Sequence, residues 1–167
     1  GGREFASPLL GKFNAANLAV CVKTALYLGL DEARIATALA HLKNVEHRLE
    51  RIDAGGKIII DDGFNGNFNG MSASYELVAC YEGCKVLVTP GIMESSDEEN
   101  EKLSKIINKS FDIVMLTSSL NAVALLKHLS RPKVIVIKDK SKMQEALAQN
   151  TKAGDLILFS NDAPSFM

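Results

Sequence analysis

Directly behind the apolar run Lys57-Ile58-Ile59-Ile60 the chain reads Asp61-Asp62-Gly63-Phe64-Asn65-Gly66-Asn67. Carboxylates and amides thus stand where a buried strand leaves its sheet, and ligands of open α/β sheets sit at such strand ends. Asp and Asn offer acceptors and donors suited to a nucleotide's sugar or base, while Gly63 and Gly66 let the backbone turn tightly or approach a ligand. The same residues also suit an Asx-rich turn whose side chains bond their own backbone. The loop alone leaves the two readings equal.

A second polar cluster, Gly11-Lys12-Phe13-Asn14-Ala15-Ala16-Asn17, opens a helical pattern through Leu18, Cys21, Val22, Ala25, Leu26 and Leu28. Asn14 and Asn17 then share one face of the first turn, although Asn14 is equally suited to capping the helix. Between the clusters lies Glu46-His47-Arg48-Leu49-Glu50, where Arg48 has the chemistry to hold a phosphate or to pair with Glu50 on a strand surface.

The elements needed to position these residues follow from the periodicity. Gly29 stops the first helix, and a second runs from near Asp31 to about Leu42. Strand patterns cover Lys57–Asp61, Lys85–Thr89, Asp112–Leu116, Lys133–Ile137 and Asp155–Phe159, alternating with helical patterns at Met71–Tyr81, Asp97–Asn108, Asn121–His128 and Lys142–Gln149. Arg48 to Ile52 reads as an added antiparallel strand, joined to the next by the Ala54-Gly55-Gly56 turn. The fold class is α/β, a Rossmann-like, doubly wound, mainly parallel sheet of about six strands with an N-terminal helical extension. A boundary falls between His41 and Glu46.

Acidic Ser95-Ser96-Asp97-Glu98-Glu99 follows Gly91-Ile92-Met93-Glu94 at a strand end. Ser96 suits a helix cap, with the acids favouring the positive end of the helix dipole. Cys21, Cys80 and Cys84 lack metal-ligand spacing, so no metal site is expected and the thiols read as free, buried and in a reducing compartment. None of His41, His47 and His128 stands in a nucleophile motif. A formal net charge of -1 and the absence of Trp argue against a nucleic-acid partner, and no apolar stretch approaches the length needed to cross a bilayer.

In this order the motifs resemble the Mur ligase family, ATP-dependent enzymes that build the peptide of peptidoglycan precursors. Gly11 to Asn17 is similar to the family's Gly-x-His/Phe-Asn-x-x-Asn, Arg48 to its following arginine, and Asp61 to Asn67 to its Asp-rich loop after a strand. Asp-Asp-Gly-Phe-Asn-Gly-Asn resembles the Asp-Asp-Ser-Tyr-Asn-Ala-Asn of the branch that joins D-alanyl-D-alanine to UDP-N-acetylmuramoyl-tripeptide. Thr89 to Glu94 looks like that branch's Gly-x-Met-x-Glu segment. Phe13, in place of a common His, resembles instead the branch that adds the third peptide residue, diaminopimelate or lysine. Phe68 stands where a proline is usual.

The resemblance implies residues 1–45 as the helical tail of a central ATPase domain and 46–167 as a C-terminal Rossmann-like ligase domain, a lid that closes on the nucleotide. It implies nucleotide binding by Asn14, Asn17, Arg48 and Asp62, dipeptide contacts from Asn65, Asn67 and Glu94, and no catalytic residue in this stretch. ATP and Mg2+ are the implied cofactors, held mainly by a central domain. The partners are UDP-N-acetylmuramoyl-tripeptide and D-alanyl-D-alanine, with no nucleic acid and no membrane, in a monomeric cytoplasmic enzyme. The sequence has no Gly-x-x-Gly-Lys-Ser/Thr loop, so the expectation is an excised C-terminal piece, inactive alone and opened by an added Gly1-Gly2. A self-standing Rossmann-like binding module is the reading from another class.

Overall fold

A computed structural model describes residues 4–64, 66–92, 96–117 and 119–161, with the backbone alone at 119–122. Two compact units divide the chain, Gly1–Val45 and Glu46–Met167.

In the first unit, α1 (Lys12–Tyr27) ends where Gly29 takes a φ of 82°. There the Leu30 N–H reaches the Ala25 carbonyl and the Gly29 N–H the Leu26 carbonyl, each at 3.0 Å, which satisfies two carbonyls of the last turn. α2 (Glu32–Ala40) starts on Asp31, whose carboxylate accepts from the Arg34 N–H at 2.8 Å. Ile35 and Leu39 of α2 are buried, whereas α1 buries no residue. Phe5, Leu9, Leu18, Val22, Leu26 and Leu39 line an apolar groove of about 440 Å³ between these segments.

The second unit is a six-stranded sheet in the order β1-β2-β6-β3-β4-β5. Its strands are β1 (Glu50–Ala54), β2 (Lys57–Asp62), β3 (Lys85–Thr89), β4 (Ile113–Leu116), β5 (Lys133–Val136) and β6 (Leu156–Ser160). β1 pairs antiparallel with β2 through a two-residue turn at Gly55 and Gly56, whose φ values of 60° and 75° fit the mirror-image turn that matches strand twist. All other pairings are parallel.

Parallel neighbours require crossovers, and four helices supply them: α3 (Phe68–Ala79), α4 (Asp97–Ser110), α5 (Ser119–Leu126) and α6 (Met143–Asn150), the last entered through a short 3₁₀ turn at Lys140–Lys142. α3 packs on α4 and α4 on α5. The crossover from β5 to β6 runs back across the sheet, so right-handedness sends α6 to the opposite face. There Met143 and Leu147 pack with Ile59, Val86, Val88, Met115, Ile157 and Phe159. Strand alternation turns Leu87, Val114, Leu116 and Leu158 to the other face, with Met71, Tyr75, Leu103, Ile107 and Phe111 among the buried residues of its helices and the segment after α4.

Two expectations are corrected. The antiparallel strand starts at Glu50, not Arg48, because His47 and Leu49 take left-handed φ values of 60° and 49° that no strand accommodates. The thiols are free, yet Cys21 and Cys80 are exposed rather than buried: Cys21 lies on α1 and Cys80 caps the C-terminus of α3. Cys84 is half-buried, and that burial pushes its thiol up. Ser96 does cap α4, accepting from the Glu99 N–H at 3.2 Å. No described helix is long and apolar enough to cross a membrane.

Candidate functional site

The loops at the C-terminal edge of the parallel strands gather Arg48, Asp61, Asp62 and Asn67 among the polar side chains singled out in the sequence. β2 delivers Asp61 and Asp62, paired in register with Phe159 and Ser160 of β6. Both carboxylates are buried, at 2% exposure each, which demands polar partners. Asp61 has two: His47 Nδ1 lies 2.7 Å from Oδ2, and the Gly63 N–H donates to Oδ1 at 3.0 Å. The hydrogen bond to Asp61 raises the His47 pKa above its ordinary value, partial burial opposes it, and the charges of Asp61, Glu46 and Glu50 add to the rise. Asp62 accepts at its main-chain carbonyl from the Asn161 N–H at 3.3 Å.

Arg48 is brought to the same place. Its guanidinium carbon lies 5.5 Å from the centroid of the Phe64 ring, a cation–π arrangement, and the His47 ring stands 5.4 Å from the same ring at 53°. Phe64 is 62% exposed, so this is an open aromatic platform at the strand end. Asn67 is the N-cap of α3, its side-chain oxygen accepting from the Gly70 N–H at 2.9 Å, which places Phe68 in the first turn of the helix. Asn65 and Glu94 lie outside the described residues, as does most of the loop from Ser160 to Pro164.

In the other unit, Asn14 is not the cap of α1. Gly11 holds that position with a φ of 91°, and the Asn14 side-chain nitrogen donates to the Leu10 carbonyl at 2.7 Å. Asn17 is exposed one turn further on.

Two features went unassigned in the sequence. Asn161, at a left-handed φ of 58°, donates through Nδ2 to the Gly91 carbonyl at 2.9 Å, and its Oδ1 sits where a Cβ at Gly66 would come within 2.7 Å. One amide therefore bears on the loops after β2, β3 and β6 together. The second feature is Tyr75, wholly buried and edge-on to Phe111 at 5.1 Å. Its phenol is pushed far up by burial; the Ser160 and Thr89 hydroxyls beside it pull the other way and the Asp62 charge adds to the rise. Neither the phenol oxygen nor the Ser160 hydroxyl completes a hydrogen bond of good geometry. An Asn at a left-handed position just past a strand was the one local clue to the first feature.

The class defined by these observations is a doubly wound α/β domain with acidic, amide and guanidinium groups collected at the carboxyl edge of its parallel strands. A family model described as Mur ligase, glutamate ligase domain, matches residues 47–161, and the chain belongs to the Mur ligase family. It is 31% identical over 165 residues to the UDP-N-acetylmuramoyl-tripeptide–D-alanyl-D-alanine ligase of Bacillus subtilis (strain 168), covering 93% of this chain and 36% of that relative. The MurF ligase of Thermotoga maritima, solved in complex with ADP, superposes with a TM-score of 0.74 at 26% identity, over 92% of this chain and 35% of that one. A Gloeobacter violaceus ligase, UDP-N-acetylmuramoyl-L-alanyl-D-glutamate–2,6-diaminopimelate ligase, is 44% identical over 52 residues, 31% of this chain and 11% of the relative. The chain thus spans about a third of the length of the first of these relatives.

Proposed function

We propose that this chain serves as the C-terminal part of an ATP-dependent amide ligase that joins D-alanyl-D-alanine to UDP-N-acetylmuramoyl-tripeptide. The observation that carries this reading is the packing of Arg48 on Phe64 in the loop that follows Asp61 and Asp62 at the carboxyl end of β2, in a chain similar over 93% of its length to a ligase named for that reaction. In the reaction the terminal phosphoryl group of ATP passes to the tripeptide carboxylate. The dipeptide amine then attacks the acyl phosphate, phosphate leaves, and an amide and ADP remain.

Each residue has a part suited to its chemistry. Asp62 accepts from the vicinal hydroxyls of ribose, a pairing that a carboxylate makes well. Because Asp62 is buried in the described conformation, those hydroxyls meet it only when its cover shifts. Arg48 and Asn14 lie toward the phosphates, where the planar guanidinium meets charge in a bidentate way. Asn17 meets the adenine edge. Asn65, Asn67 and Glu94 face the dipeptide, with Asn67 free to do so only through groups its helix cap does not use. Mg2+, held mainly by the central domain, would offset the charge of the phosphates; among the described residues no group of three His, Cys, Asp or Glu is arranged to hold a metal ion. The unit 46–167 then works as a lid over the nucleotide in a monomeric, cytoplasmic enzyme.

The test is ADP release by the polypeptide that contains this chain, with UDP-N-acetylmuramoyl-tripeptide as acceptor and D-alanyl-D-alanine as amine. Release dependent on the dipeptide supports the reading. Release that requires diaminopimelate or lysine and the shorter UDP-linked acceptor favours the branch adding the third residue, to which the 52-residue similarity points. Nucleotide binding without turnover favours a self-standing binding module.

A further inference from the structure

His47 and Leu49 flank Arg48, and both hold the left-handed backbone that side chains other than glycine rarely adopt. Strain of this kind persists where surrounding contacts over-determine it. The contacts here converge on one imidazole. His47 Nδ1 lies 2.7 Å from the buried Asp61 carboxylate on β2. The His47 ring packs on Phe64, its carbonyl accepts from the Phe64 N–H at 3.4 Å, and its own N–H faces the Glu50 carboxylate at the same distance. Arg48, the next residue, lies over Phe64. A single ring therefore joins the segment entering β1 to the loop leaving β2.

We propose that His47 is a positioning residue: latched to Asp61 through Nδ1 and packed against Phe64, its ring fixes the left-handed turn that presents the Arg48 guanidinium at the end of β2. The charged groups around it agree in sign. Asp61 from β2, Glu46 just upstream and Glu50 on β1 all favour the cationic ring, and Arg48, the neighbouring cation, is directed over Phe64. The neutral ring keeps a weaker bond to Asp61 in its Nδ1–H tautomer, so the latch loosens with rising pH rather than opening outright. Its functional consequence rests on Arg48 facing a phosphate, as proposed above; the latch itself stands on the geometry.

The experiment is an NMR titration of the histidine rings in this 167-residue chain, following the Arg48 guanidinium and Phe64 ring signals, with His41→Gln and His128→Gln for assignment. The expected result is a His47 midpoint above the ordinary value of about 6.5, with Arg48 and Phe64 moving on the same midpoint. His47→Gly, whose backbone takes the left-handed turn without strain, abolishes the shared transition, and Asp61→Asn lowers the midpoint. A His47 midpoint at or below the ordinary value, or Arg48 and Phe64 signals indifferent to His47→Gly, overturns the latch. In the ligase assay His47→Gly raises the apparent KM for ATP about three- to tenfold with little change in kcat, the scale of one partly exposed charge-assisted contact. His47→Asn, which tolerates the turn and still donates an N–H, restores most of the KM but not its pH dependence. An unchanged KM beside an intact NMR latch overturns the positioning role. Failure of the unsubstituted enzyme to release ADP bears on the ligase reading alone, since the titration is read without turnover.

Discussion

The side-chain nitrogen of Asn161 donates to the main-chain carbonyl of Gly91 across 2.9 Å, joining the residue after β6 to the loop after β3. With the Asn161 N–H on Asp62 and its oxygen against Gly66, the strand edge that bears the polar groups is held from its middle.

Asn161→Ala loses both the tie and an amide side chain that tolerates left-handed backbone, and should cost about 2 kcal/mol. Asn161→Gly loses only the tie, at about 1 kcal/mol. Urea unfolding of the two variants checks this. Equal costs would mean that the backbone at 161 relaxes out of its left-handed well.

Gly66→Ala brings a methyl within 2.7 Å of Asn161 Oδ1, so the amide must swing away and release Gly91. The substitution should cost about 1–3 kcal/mol. In a double-mutant cycle most of that cost should vanish in an Asn161→Gly background, because the clash has lost its partner. Additive costs would show that Gly66 acts on something else.

Tyr75 predicts an asymmetry. Its phenol oxygen is buried without a hydrogen bond of good geometry, so Tyr75→Phe should change stability by less than about 1 kcal/mol, in either direction. Tyr75→Ala, which empties a wholly buried ring site against Phe111, should cost about 3–5 kcal/mol. Thermal or denaturant unfolding reads both. A large loss in the Phe variant would mean that the Ser160 or Thr89 hydroxyl bonds the phenol in solution.

The latch at His47 sets a pH window for stability. A pKa raised on folding means that the contact stabilises fully below about pH 6.5, the unfolded value, and that its contribution is lost as the pH climbs through the raised folded value. The melting temperature of the chain should therefore exceed that of His47→Gln by more at pH 5.5 than at pH 8.5. A gap independent of pH would leave no role for the ring's charge.

Asp62→Asn tests the nucleotide reading. It keeps shape and burial while removing the carboxylate, and in the intact ligase it should weaken ATP binding by about tenfold or more. Nucleotide affinity by calorimetry, with dipeptide-dependent ADP release beside it, gives the answer. Undiminished turnover would remove Asp62 from the ribose role.

Much of the sheet was legible because its strands announce themselves. Lys85–Thr89 was read to the residue, since a β-branched run between turn residues has one interpretation. Boundaries slipped where backbone geometry overrode composition. β1 lost two residues to the left-handed turn around Arg48, and α3 began at Phe68, three residues early, because Asn67 caps it. Of the site, Arg48 and Asp62 were legible as types and do share one strand edge. The Asp61–His47 and Asn161–Gly91 contacts were not, because each joins residues 14 and 70 positions apart and leaves no periodic trace. His47 stands in no nucleophile motif, and its partner is known only once β2 is laid down beside it.

β6, the last of the described strands, lies between β2 and β3, which meet only through it. Without β6 the sheet is in two halves, a hairpin and a trio of strands, with the edges of β2 and β3 that face each other left raw. Neither edge is covered until residues near 160 slide between them. Closure must wait for the most distant contacts in the unit, so this domain should fold slowly for its size, and a chain cut short before β6 should be prone to pair with its neighbours through the two edges that β6 covers.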